Sequence, residues 1–593
     1  MRSMVFALIT LTALLLGSVS VAADDFITVA ERSDFRITSS YDETVDFYKR
    51  LEAASPLAKL TVFGQTAQQR DMHCLVVSKD KAFTPEAAER TGKAMILIQS
   101  GIHAGEIDGK DASMILLREI LITKERAALL DSVIILMIPI FNIDGHENNS
   151  RYTRPNQYGP ENAGFRVTAQ RYNLNRDYLK MDSPEMRAWV KLWTTWLPDF
   201  FIDNHVTDGH DWQHIVTYSM PWHPNAASQV RDWTNKVFDP YFIPRCTELG
   251  FPPAPYAFPL RDRSRGAIGT FVDIPRFSTG YTALWNRPGL LMEMHSLKEY
   301  KPRVMGNHAA MVAVLEVLNR DASGLRKAIA IADAELLDGS LESAPLTYEA
   351  SGDSSYITVL NYPVSTDSSL ITGGKYQRWD HTRPQTDTVP YFGSFRAKAS
   401  ITPPRAYLIP KEWTEVIDRL RAHGVWLDTL SSATNITVEM YRLDSVKFGT
   451  EPFEGRVRVS YKTSAYDTTL RYPSGTVVVS TRQQAGKVAM QALEPDGPDS
   501  FLSWGFMNTI FEQKEYADSY VIDPLADSMY FNNPTIRAAF DARVTSDTTF
   551  AKSTSAKRDF FYKRSRFAEG GFNWYPITRV MTELPKTMPL KRE

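Results

Sequence analysis

Side chains that could share a metal ion occur in three separated parts of the chain. His103 and Glu106 lie three residues apart in GIHAGE, His205 ends FFIDNH, and Glu293 lies in GLLMEM. Imidazole nitrogen and carboxylate oxygen are zinc ligands, and a catalytic zinc site has three protein ligands and an open fourth position. Two histidines, one glutamate and a spare glutamate have that composition.

The spacing of His103 and Glu106 is weak support by itself. With 11 histidines in the chain, roughly one His-x-x-Glu is expected by chance, and a lone match is usually a surface pair. The positions carry more weight, because each candidate follows or ends an apolar run typical of a buried strand. These runs are AMILIQ before His103, VIILMIPI before Asn142 and Asp144, FFID before His205, and GLLMEM around Glu293.

Apolar runs alternate with helix-like stretches between about Tyr41 and Lys327. Helical spacing occurs around residues 45–51, 111–121, 184–196 and 304–318, with a further short strand at 75–77. This alternation predicts an α/β fold with a mostly parallel central sheet flanked by helices. Ligands of such sheets gather at the carboxyl ends of the strands, so the candidate residues are expected in one crevice.

Two other histidine patterns are alternatives. His146-Glu147 begins like His-Glu-x-x-His, but position 150 is Ser150, so that motif fails. His210 and His214 could bind a metal on a helix, but DGHDWQH is loop-like, and lining a cleft or packing on Trp212 is favoured.

From about Tyr41 to Arg303 the chain resembles the zinc carboxypeptidases of the carboxypeptidase A and B type. The resemblance is carried by Gly101-x-His103-x-x-Glu106, Asn142-x-Asp144-Gly145, Asn175-Arg176, His205 and Glu293. It implies one Zn²⁺ held by His103, Glu106 and His205, with Glu293 as general base and then acid. The implied substrate is a peptide with a free C-terminal carboxylate.

The resemblance also implies roles for residues that bind substrate. Arg154 is expected to stabilise the oxyanion, with Arg166 as the alternative and Arg151 less favoured. Asn175 and Arg176 are expected to bind the terminal carboxylate, unless Arg176 serves only as a structural partner of Asp177. Tyr281 is expected to be the mobile tyrosine that caps the substrate.

Two positions depart from the family pattern. Gly105 stands where the family often has arginine, and Asn173 replaces an acidic residue that braces a metal-bound histidine. An amide can accept the same hydrogen bond without charge, so weaker support is expected, and Asp177 or Asp203 could compensate.

The N-terminus resembles a secretory signal peptide. Arg2 precedes an apolar core, Val5 to Leu16, and small residues lead to Ala23. We expect cleavage after Ala23 and export to the periplasm or the medium, with an uncleaved anchor as the alternative. No later stretch is long and apolar enough to span a bilayer.

Beyond about Gly339 the sequence becomes rich in Ser, Thr, Asp and Tyr, with short β-like runs at 457–461 and 476–480. We therefore divide the mature chain into a catalytic domain, 24–338, and a β-rich accessory region with C-terminal helices, 339–593. One helix is predicted over Asp499 to Tyr516.

Charge and cysteine content limit the other possibilities. The formal net charge is -2 and no basic tract occurs, so nucleic acid is not an expected partner. Cys74 and Cys246 could pair, although two buried thiols are favoured. A zinc amidohydrolase or cell-wall peptide hydrolase on the same fold, or a non-catalytic binding protein, are the alternative functions.

Overall fold

The computed structural model describes residues 23–260, 266–585 and 588–592. The predicted signal segment therefore falls outside the described residues, apart from its last position. Among the helices in these ranges, none has both the length and the apolar composition needed to cross a bilayer.

The catalytic region alternates strands with helices, as the apolar runs predicted. Its strands are β1 (Ala58–Gln65), β2 (Asp71–Val77), β3 (Ala94–Ser100), β4 (Val133–Ile138), β5 (Phe200–Thr207), β6 (Val216–Ser219), β7 (Ala254–Pro255), β8 (Phe258–Pro259), β9 (Ile268–Gly269) and β10 (Gly289–His295). Its helices are α1 (Val29–Arg32), α2 (Tyr41–Ala54), α3 (Pro85–Arg90), α4 (Asp108–Leu121), α5 (Ile143–Glu147), α6 (Pro184–Trp196), α7 (Ser228–Trp233), α8 (Asp239–Glu248), α9 (Ser278–Leu284) and α10 (Tyr300–Leu337).

Eight of these strands form one sheet in the order β1-β2-β4-β3-β5-β10-β6-β7. The four inner strands β4, β3, β5 and β10 are mutually parallel, whereas β1–β2, β2–β4 and β10–β6 pair antiparallel. Every residue of the four inner strands is buried. Helices cover both faces, which explains why these strands read as continuous apolar runs. The predicted mostly parallel α/β sheet is confirmed.

Successive residues of β3 point to opposite faces of the sheet. Ile96 and Ile98 pack in the hydrophobic cluster that includes α4 and α10. Met95 and Leu97 pack in a second cluster with α6 and its Trp189. The central strands are therefore held rigidly between two cores, which fixes the position of their carboxyl ends.

The C-terminal region is rich in strands, as predicted. Its strands are β11 (Ala344–Ala350), β12 (Ser355–Asn361), β13 (Val364–Ser368), β14 (Lys375–Trp379), β15 (Gln385–Phe392), β16 (Phe395–Ile401), β17 (Ala406–Ile409), β18 (Asp428–Leu430), β19 (Thr434–Phe448), β20 (Val459–Tyr472), β21 (Val477–Ser480), β22 (Thr578–Val580) and β23 (Leu590–Arg592). Its helices are α11 (Thr414–Ala422), α12 (Gly486–Leu493), α13 (Ser519–Asn532), α14 (Pro534–Ser546), α15 (Thr548–Lys552) and α16 (Thr554–Tyr562).

Seven C-terminal strands form a sheet in the order β20-β19-β22-β17-β21-β18-β23. A smaller sheet, β12-β15-β9-β8, contains strands of both regions. The change in amino-acid composition at Gly339 falls in the connection between α10 and β11. The two regions also share a core, because Leu420 of α11 and Val488 of α12 belong to the cluster that contains Trp189.

The helix predicted over 499–516 is wrong. Residues 501–507 form turns, and only a short 3-10 helix, Asn508–Phe511, follows. Gly505 has φ +82°, a left-handed conformation that interrupts an α-helix. The Asp499 carboxylate, at the predicted start of this helix, accepts hydrogen bonds from the backbone N–H and the guanidinium of Arg276 at 2.9 and 2.7 Å.

Cys74 and Cys246 are both buried free thiols. They belong to different hydrophobic clusters, so the interpretation as packing residues is confirmed.

Candidate metal centre and active site

The turn after β3 presents the first two candidate ligands. Gly101, with φ +69°, ends the strand in a backbone conformation that favours glycine. The Glu106 amide then donates to the His103 carbonyl at 2.8 Å. This tight turn sets both side chains beside β5, which pairs with β3 and carries His205.

The three candidate ligands converge on one point. Glu106 Oε2 lies 3.1 Å from His103 Nδ1 and 3.0 Å from His205 Nδ1, and one ligand atom from each residue lies within 4.8 Å of the others. Tetrahedral zinc with bonds of about 2.0–2.2 Å separates its ligand atoms by roughly 3.3–3.6 Å. The donor types and spacing therefore fit one zinc ion with small adjustments.

Each histidine contacts a second group through its other ring nitrogen. His103 Nε2 lies 3.2 Å from Asn173 Oδ1, and His205 Nε2 lies 2.9 Å from Asp203 Oδ2. The second Asp203 oxygen accepts from Gln99 Nε2 at 2.9 Å. Such contacts fix the orientation and tautomer of metal-binding imidazoles. His103 is therefore oriented by the uncharged amide of Asn173, whereas His205 is oriented by the charged carboxylate of Asp203.

We expect Asp203→Asn to weaken zinc binding by about 10–100-fold, the range measured for comparable outer contacts. The substitution keeps the shape but removes the charge beside His205. Zinc competition with a chromophoric chelator would measure it, with the exposed Asp208→Asn as the matched control. Unchanged zinc affinity would show that Asp203 has no such role.

Gly105 makes room for an arginine beside the glutamate ligand. A Cβ at position 105 would lie 2.7 Å from Arg154 Cγ and 2.7 Å from the Gly164 carbonyl oxygen. Arg154 Nη2 donates to Glu106 Oε1 at 2.9 Å, and Arg166 Nη1 lies 3.4 Å from the same oxygen. Gly105 stands where the family often has arginine, and the guanidinium of Arg154 occupies the space beside it.

The charges of the site favour a carboxylate and a neutral imidazole as ligands. Burial raises the pKa of Glu106, but His103 and Arg154 outweigh it and hold the pKa well below its usual value. Burial lowers the pKa of His103 to about 4. Glu106 and His103 are therefore in the protonation state that binds a metal at neutral pH. Burial lowers the pKa of His205, but the Asp203 and Glu106 carboxylates outweigh it and hold that pKa well above its usual value, so metal binding at His205 releases a proton.

Glu293 lies next to the metal cluster without belonging to it. It is the register partner of His205 in the β5–β10 pair, and its buried Oε2 has no hydrogen-bond partner among the described residues. Burial raises the pKa of Glu293 to about 8, against the opposing effect of His205. A bound dication would favour its charged form.

A cavity of about 210 Å³ opens beside these groups. His103, Glu293, Asn175, Arg176 and Arg166 all line it, so metal ligand, spare carboxylate and guanidinium groups face one space. Arg154 lies behind Glu106 and does not line this cavity. Of the two arginines considered for the oxyanion, the structure therefore places Arg166 facing the cavity.

Within the part of the chain that the structure describes, no carboxylate forms an ion pair with Arg176. Its Nη1 donates to the Asn175 carbonyl at 2.6 Å, and its guanidinium carbon lies 4.4 Å from the centre of the Phe277 ring. The Asp177 carboxylate instead bonds to Lys180 and Ser183. The alternative of an Arg176–Asp177 pair is therefore not what the structure contains.

The structure places Tyr281 away from the cavity. Its side chain is fully buried, and its hydroxyl lies 2.8 Å from His423 Nδ1. Tyr256 lines the cavity instead, with its hydroxyl accepting from Thr207 at 3.3 Å. Tyr256 follows the short β7 strand, which carries no sequence pattern that would single it out.

Four further residues that line the active-site cavity were not predicted from the sequence. Phe258, Phe271, Phe277 and Asp273 line the cavity, and the short β9 strand between Phe258 and Phe271 pairs with β15 of the C-terminal region. These residues come from loops and two-residue strands, so periodicity gives no signal for them. Residues 261–265, between Phe258 and Phe271, lie outside the described residues.

The other histidine patterns take structural roles. His210 Nε2 lies 3.0 Å from Asn361 Oδ1, and His214 Nδ1 lies 2.8 Å from the Pro252 carbonyl. His146 contacts Lys110 and Glu147. Within the described residues, the His103–Glu106–His205 cluster is the one group arranged to hold a metal ion.

Comparison with known proteins agrees with this site. A sequence model described as zinc carboxypeptidase matches residues 44–208. Carboxypeptidase 2 of Trichophyton rubrum is 25% identical over 494 residues, which cover 79% of this chain and 84% of the relative. Carboxypeptidase 2 of Trichophyton tonsurans is 26% identical over 442 residues, covering 70% of this chain and 74% of the relative.

Among solved structures, a metallo-carboxypeptidase from Burkholderia cenocepacia is 18% identical with a TM-score of 0.37, covering 48% of this chain and 70% of that one. The family match spans β3 to β5 and so includes all three ligands, and Glu293 follows on the adjacent strand β10. Over residues 44–208, which hold the three candidate ligands, the chain is therefore similar to the zinc carboxypeptidases.

Proposed function

We propose that this protein is an exported zinc carboxypeptidase that hydrolyses the C-terminal peptide bond of peptides. One observation carries the proposal: a single cavity is lined by His103 of the metal cluster, by Glu293 outside that cluster, and by Arg176, which has no carboxylate partner among the described residues. The metal cluster supplies the group for hydrolysis, Glu293 the group for proton transfer, and Arg176 the group that recognises a terminal carboxylate.

Zinc, when bound, lowers the pKa of water towards ~7 and polarises the substrate carbonyl. Glu293 accepts the proton of the attacking water and delivers it to the leaving amine. Its unpartnered Oε2 leaves it free for this transfer, and its place beside His205 puts it next to the metal cluster. A general base must lie within hydrogen-bond reach of the proton that it removes.

Arg166 is the group that we assign to the developing negative charge on the substrate oxygen. Fixed cations directed at such charge are a major source of rate enhancement. Arg166 faces the cavity, whereas Arg154 holds the outer oxygen of Glu106. We assign to Arg154 the orientation of that ligand.

Asn175 and Arg176 would bind the free carboxylate of the substrate. A guanidinium can bond both carboxylate oxygens in one plane, and the Phe277 ring beneath Arg176 helps to fix that plane. The side chain of the C-terminal residue would then lie against the aromatic wall of Tyr256, Phe258 and Phe271.

The direct test compares two blocked dipeptides that differ only at the C-terminus, one with a free carboxylate and one amidated. We expect hydrolysis of the first and a kcat/KM at least about 100-fold lower for the second. The reason is that the amide cannot engage Arg176 as an ion pair, and truncating one side of a desolvated charge pair costs several kcal/mol.

The same comparison in Arg176→Met should show a large rise in KM for the free peptide and loss of the preference between the two. Arg537→Met, on an exposed position of α14, is the matched control. If Arg176→Met keeps the wild-type preference, the assignment of the terminal-carboxylate site fails. Hydrolysis of acyl amino acids but no dipeptide would favour the amidohydrolase alternative.

Export rests on the N-terminal sequence alone. The charged start, apolar core and small residues before Asp24 are typical of a cleaved signal. N-terminal sequencing of the protein recovered from the medium or periplasm should begin at Asp24.

A further inference from the structure

One carboxylate in the active-site cavity takes no part in the proposed hydrolysis. Asp273 lines this cavity together with Glu293 and Arg176, and it lies in an irregular segment before α9. Glu293 is committed to proton transfer and Arg176 to the terminal carboxylate of the substrate. Among the described lining residues, Asp273 is therefore the acidic group that remains available to another part of the substrate.

The Asp273 carboxylate is held through one of its two oxygens. Oδ2 accepts a hydrogen bond from the Thr279 hydroxyl, and the Asp273 backbone carbonyl accepts from Asn225 Nδ2 at 3.3 Å. Helix α9 also packs tightly on the same backbone, because a Cβ at Gly280 would lie 2.8 Å from the Asp273 carbonyl oxygen. These contacts fix the backbone and orient the carboxylate.

The other oxygen, Oδ1, is available to a ligand. Within the ranges that the structure describes, it has no hydrogen-bond or ion-pair partner, and it is not one of the polar atoms enclosed by protein. The residue as a whole is only half-buried. Burial raises the pKa of Asp273 to about 6, against the opposing effect of the Thr279 hydrogen bond. The group is thus mostly charged at neutral pH, and a neighbouring cation would stabilise that charge.

The two arginines of the cavity do not neutralise Asp273. No nitrogen of Arg176 lies within 4.0 Å of its oxygens, and Arg166 lies 3.4 Å from Glu106 Oε1. When a peptide is bound, its terminal carboxylate balances the charge of Arg176 and leaves Asp273 unbalanced. A partly desolvated carboxylate without a partner is costly, so the site favours a substrate that brings its own cation.

The rest of the lining is largely apolar. Phe258, Phe271, Phe277 and Leu291 all contribute to it. Long cationic side chains pack their aliphatic stem along such surfaces and place the charged head at a polar group. The volume of about 210 Å³ is below the roughly 300–1,000 Å³ of cavities that hold drug-sized ligands, so it suits a single side chain.

We propose that Asp273 selects peptides whose C-terminal residue is lysine or arginine. The carboxylate of that residue binds Arg176, its aliphatic stem lies along the apolar lining, and its cationic head bonds to Asp273 Oδ1. This selection rests on the proposed function, because it names the residue that the carboxypeptidase would release.

The test uses blocked dipeptides that end in lysine, arginine, norleucine or glutamate. Norleucine is the matched substrate, because it has the lysine stem without the ammonium group. We expect kcat/KM for lysine and arginine to exceed that for norleucine at least about 30-fold, since loss of one partner of a desolvated charge pair has an effect of this size. Glutamate, which would place a second negative charge beside Asp273, should be the poorest substrate.

Asp273→Asn keeps the shape of the side chain and removes its charge. The lysine-to-norleucine ratio should fall to within about threefold of unity, mainly through a higher KM for lysine. Asp273→Arg should reverse the order and make glutamate a better substrate than lysine. Asp353→Asn, at an exposed position before β12, is the matched control and should keep the wild-type ratio.

The ratio of two substrates is insensitive to partial misfolding, because the same folded molecules hydrolyse both. Thr279→Val provides a second check, since it removes the hydroxyl that orients the carboxylate and should lower the ratio at least threefold. A wild type that hydrolyses the norleucine or glutamate peptide as well as the lysine peptide would overturn the proposal. Wild-type ratios in both Asp273→Asn and Thr279→Val would overturn it as well.

Titration of the zinc-loaded protein with L-lysine and then L-norleucine separates the pocket from the reaction. L-lysine should bind at least tenfold more tightly, and Asp273→Asn should lose this difference, whereas Arg176→Met should weaken both amino acids. Lysine that binds no better than norleucine would overturn the pocket. A protein that binds lysine through Asp273 but cleaves no peptide would refute the proposed function and retain the pocket.

Discussion

Glu293→Gln is expected to lower kcat by about 10²–10⁴-fold, the range for loss of a positioned general base, while one equivalent of zinc remains bound. The amide has the shape of the carboxylate but cannot accept the proton of the attacking water. Zinc is retained because the three ligands, His103, Glu106 and His205, converge without Glu293.

The measurement is the initial rate on a blocked dipeptide, together with zinc content by plasma mass spectrometry. Glu342→Gln, at an exposed position between α10 and β11, is the control and should keep the wild-type rate. A Glu293→Gln protein with an unchanged rate would refute the role assigned to this residue. Loss of zinc from that variant would instead make Glu293 a ligand.

His205→Ala is expected to abolish both zinc binding and hydrolysis. The substitution removes one of three ligands and also leaves the buried Asp203 carboxylate without its partner at 2.9 Å. The loss of zinc affinity should exceed the factor of about 10–100 expected for outer contacts such as Asp203. Hydrolysis should fall to background, because the activated water depends on the metal.

Equilibrium dialysis against buffered zinc measures the first effect and the dipeptide assay the second. His381→Ala is the control, since this histidine is 59% exposed and lies outside the metal cluster. Chelation of the wild type should reproduce the loss of activity, and added zinc should restore it there but not in His205→Ala. Full activity in chelated wild-type protein would contradict a metal-dependent mechanism.

The sequence was sufficient to predict the sheet that positions the metal cluster. Strands β3, β4, β5 and β10 are buried on both faces, so each begins as an apolar run, and the polar candidate residues come after it or in its second half. Because the four strands are parallel, the residues at their ends must lie along one edge. This argument predicts that His103, Glu106, His205 and Glu293 lie in one crevice, and the family resemblance adds the role of each.

Residues placed by loops could not be predicted in the same way. Tyr281 was expected at the substrate by family resemblance, yet α9 buries it against His423 of the C-terminal region. That contact joins residues 142 positions apart, so it cannot be predicted from local periodicity. Tyr256 and Asp273 reach the cavity from irregular segments for the same reason.

The position of the arginines depended on a detail of backbone packing. The family resemblance favours Arg154 for the oxyanion over Arg166, and both follow the same strand end. The choice follows from Gly105, whose missing side chain leaves the space that Arg154 fills beside Glu106. Only the folded chain shows that Arg166 then faces the substrate cavity.

The central claim is that His103, Glu106 and His205 bind the same zinc ion. Anomalous diffraction from crystals of the zinc-loaded protein, recorded on both sides of the zinc absorption edge, tests it most directly. We predict one strong zinc peak about 2.0–2.2 Å from His103 Nδ1, Glu106 Oε2 and His205 Nδ1. A zinc-saturated protein whose peak lies elsewhere, or that shows no peak among these three atoms, would contradict it.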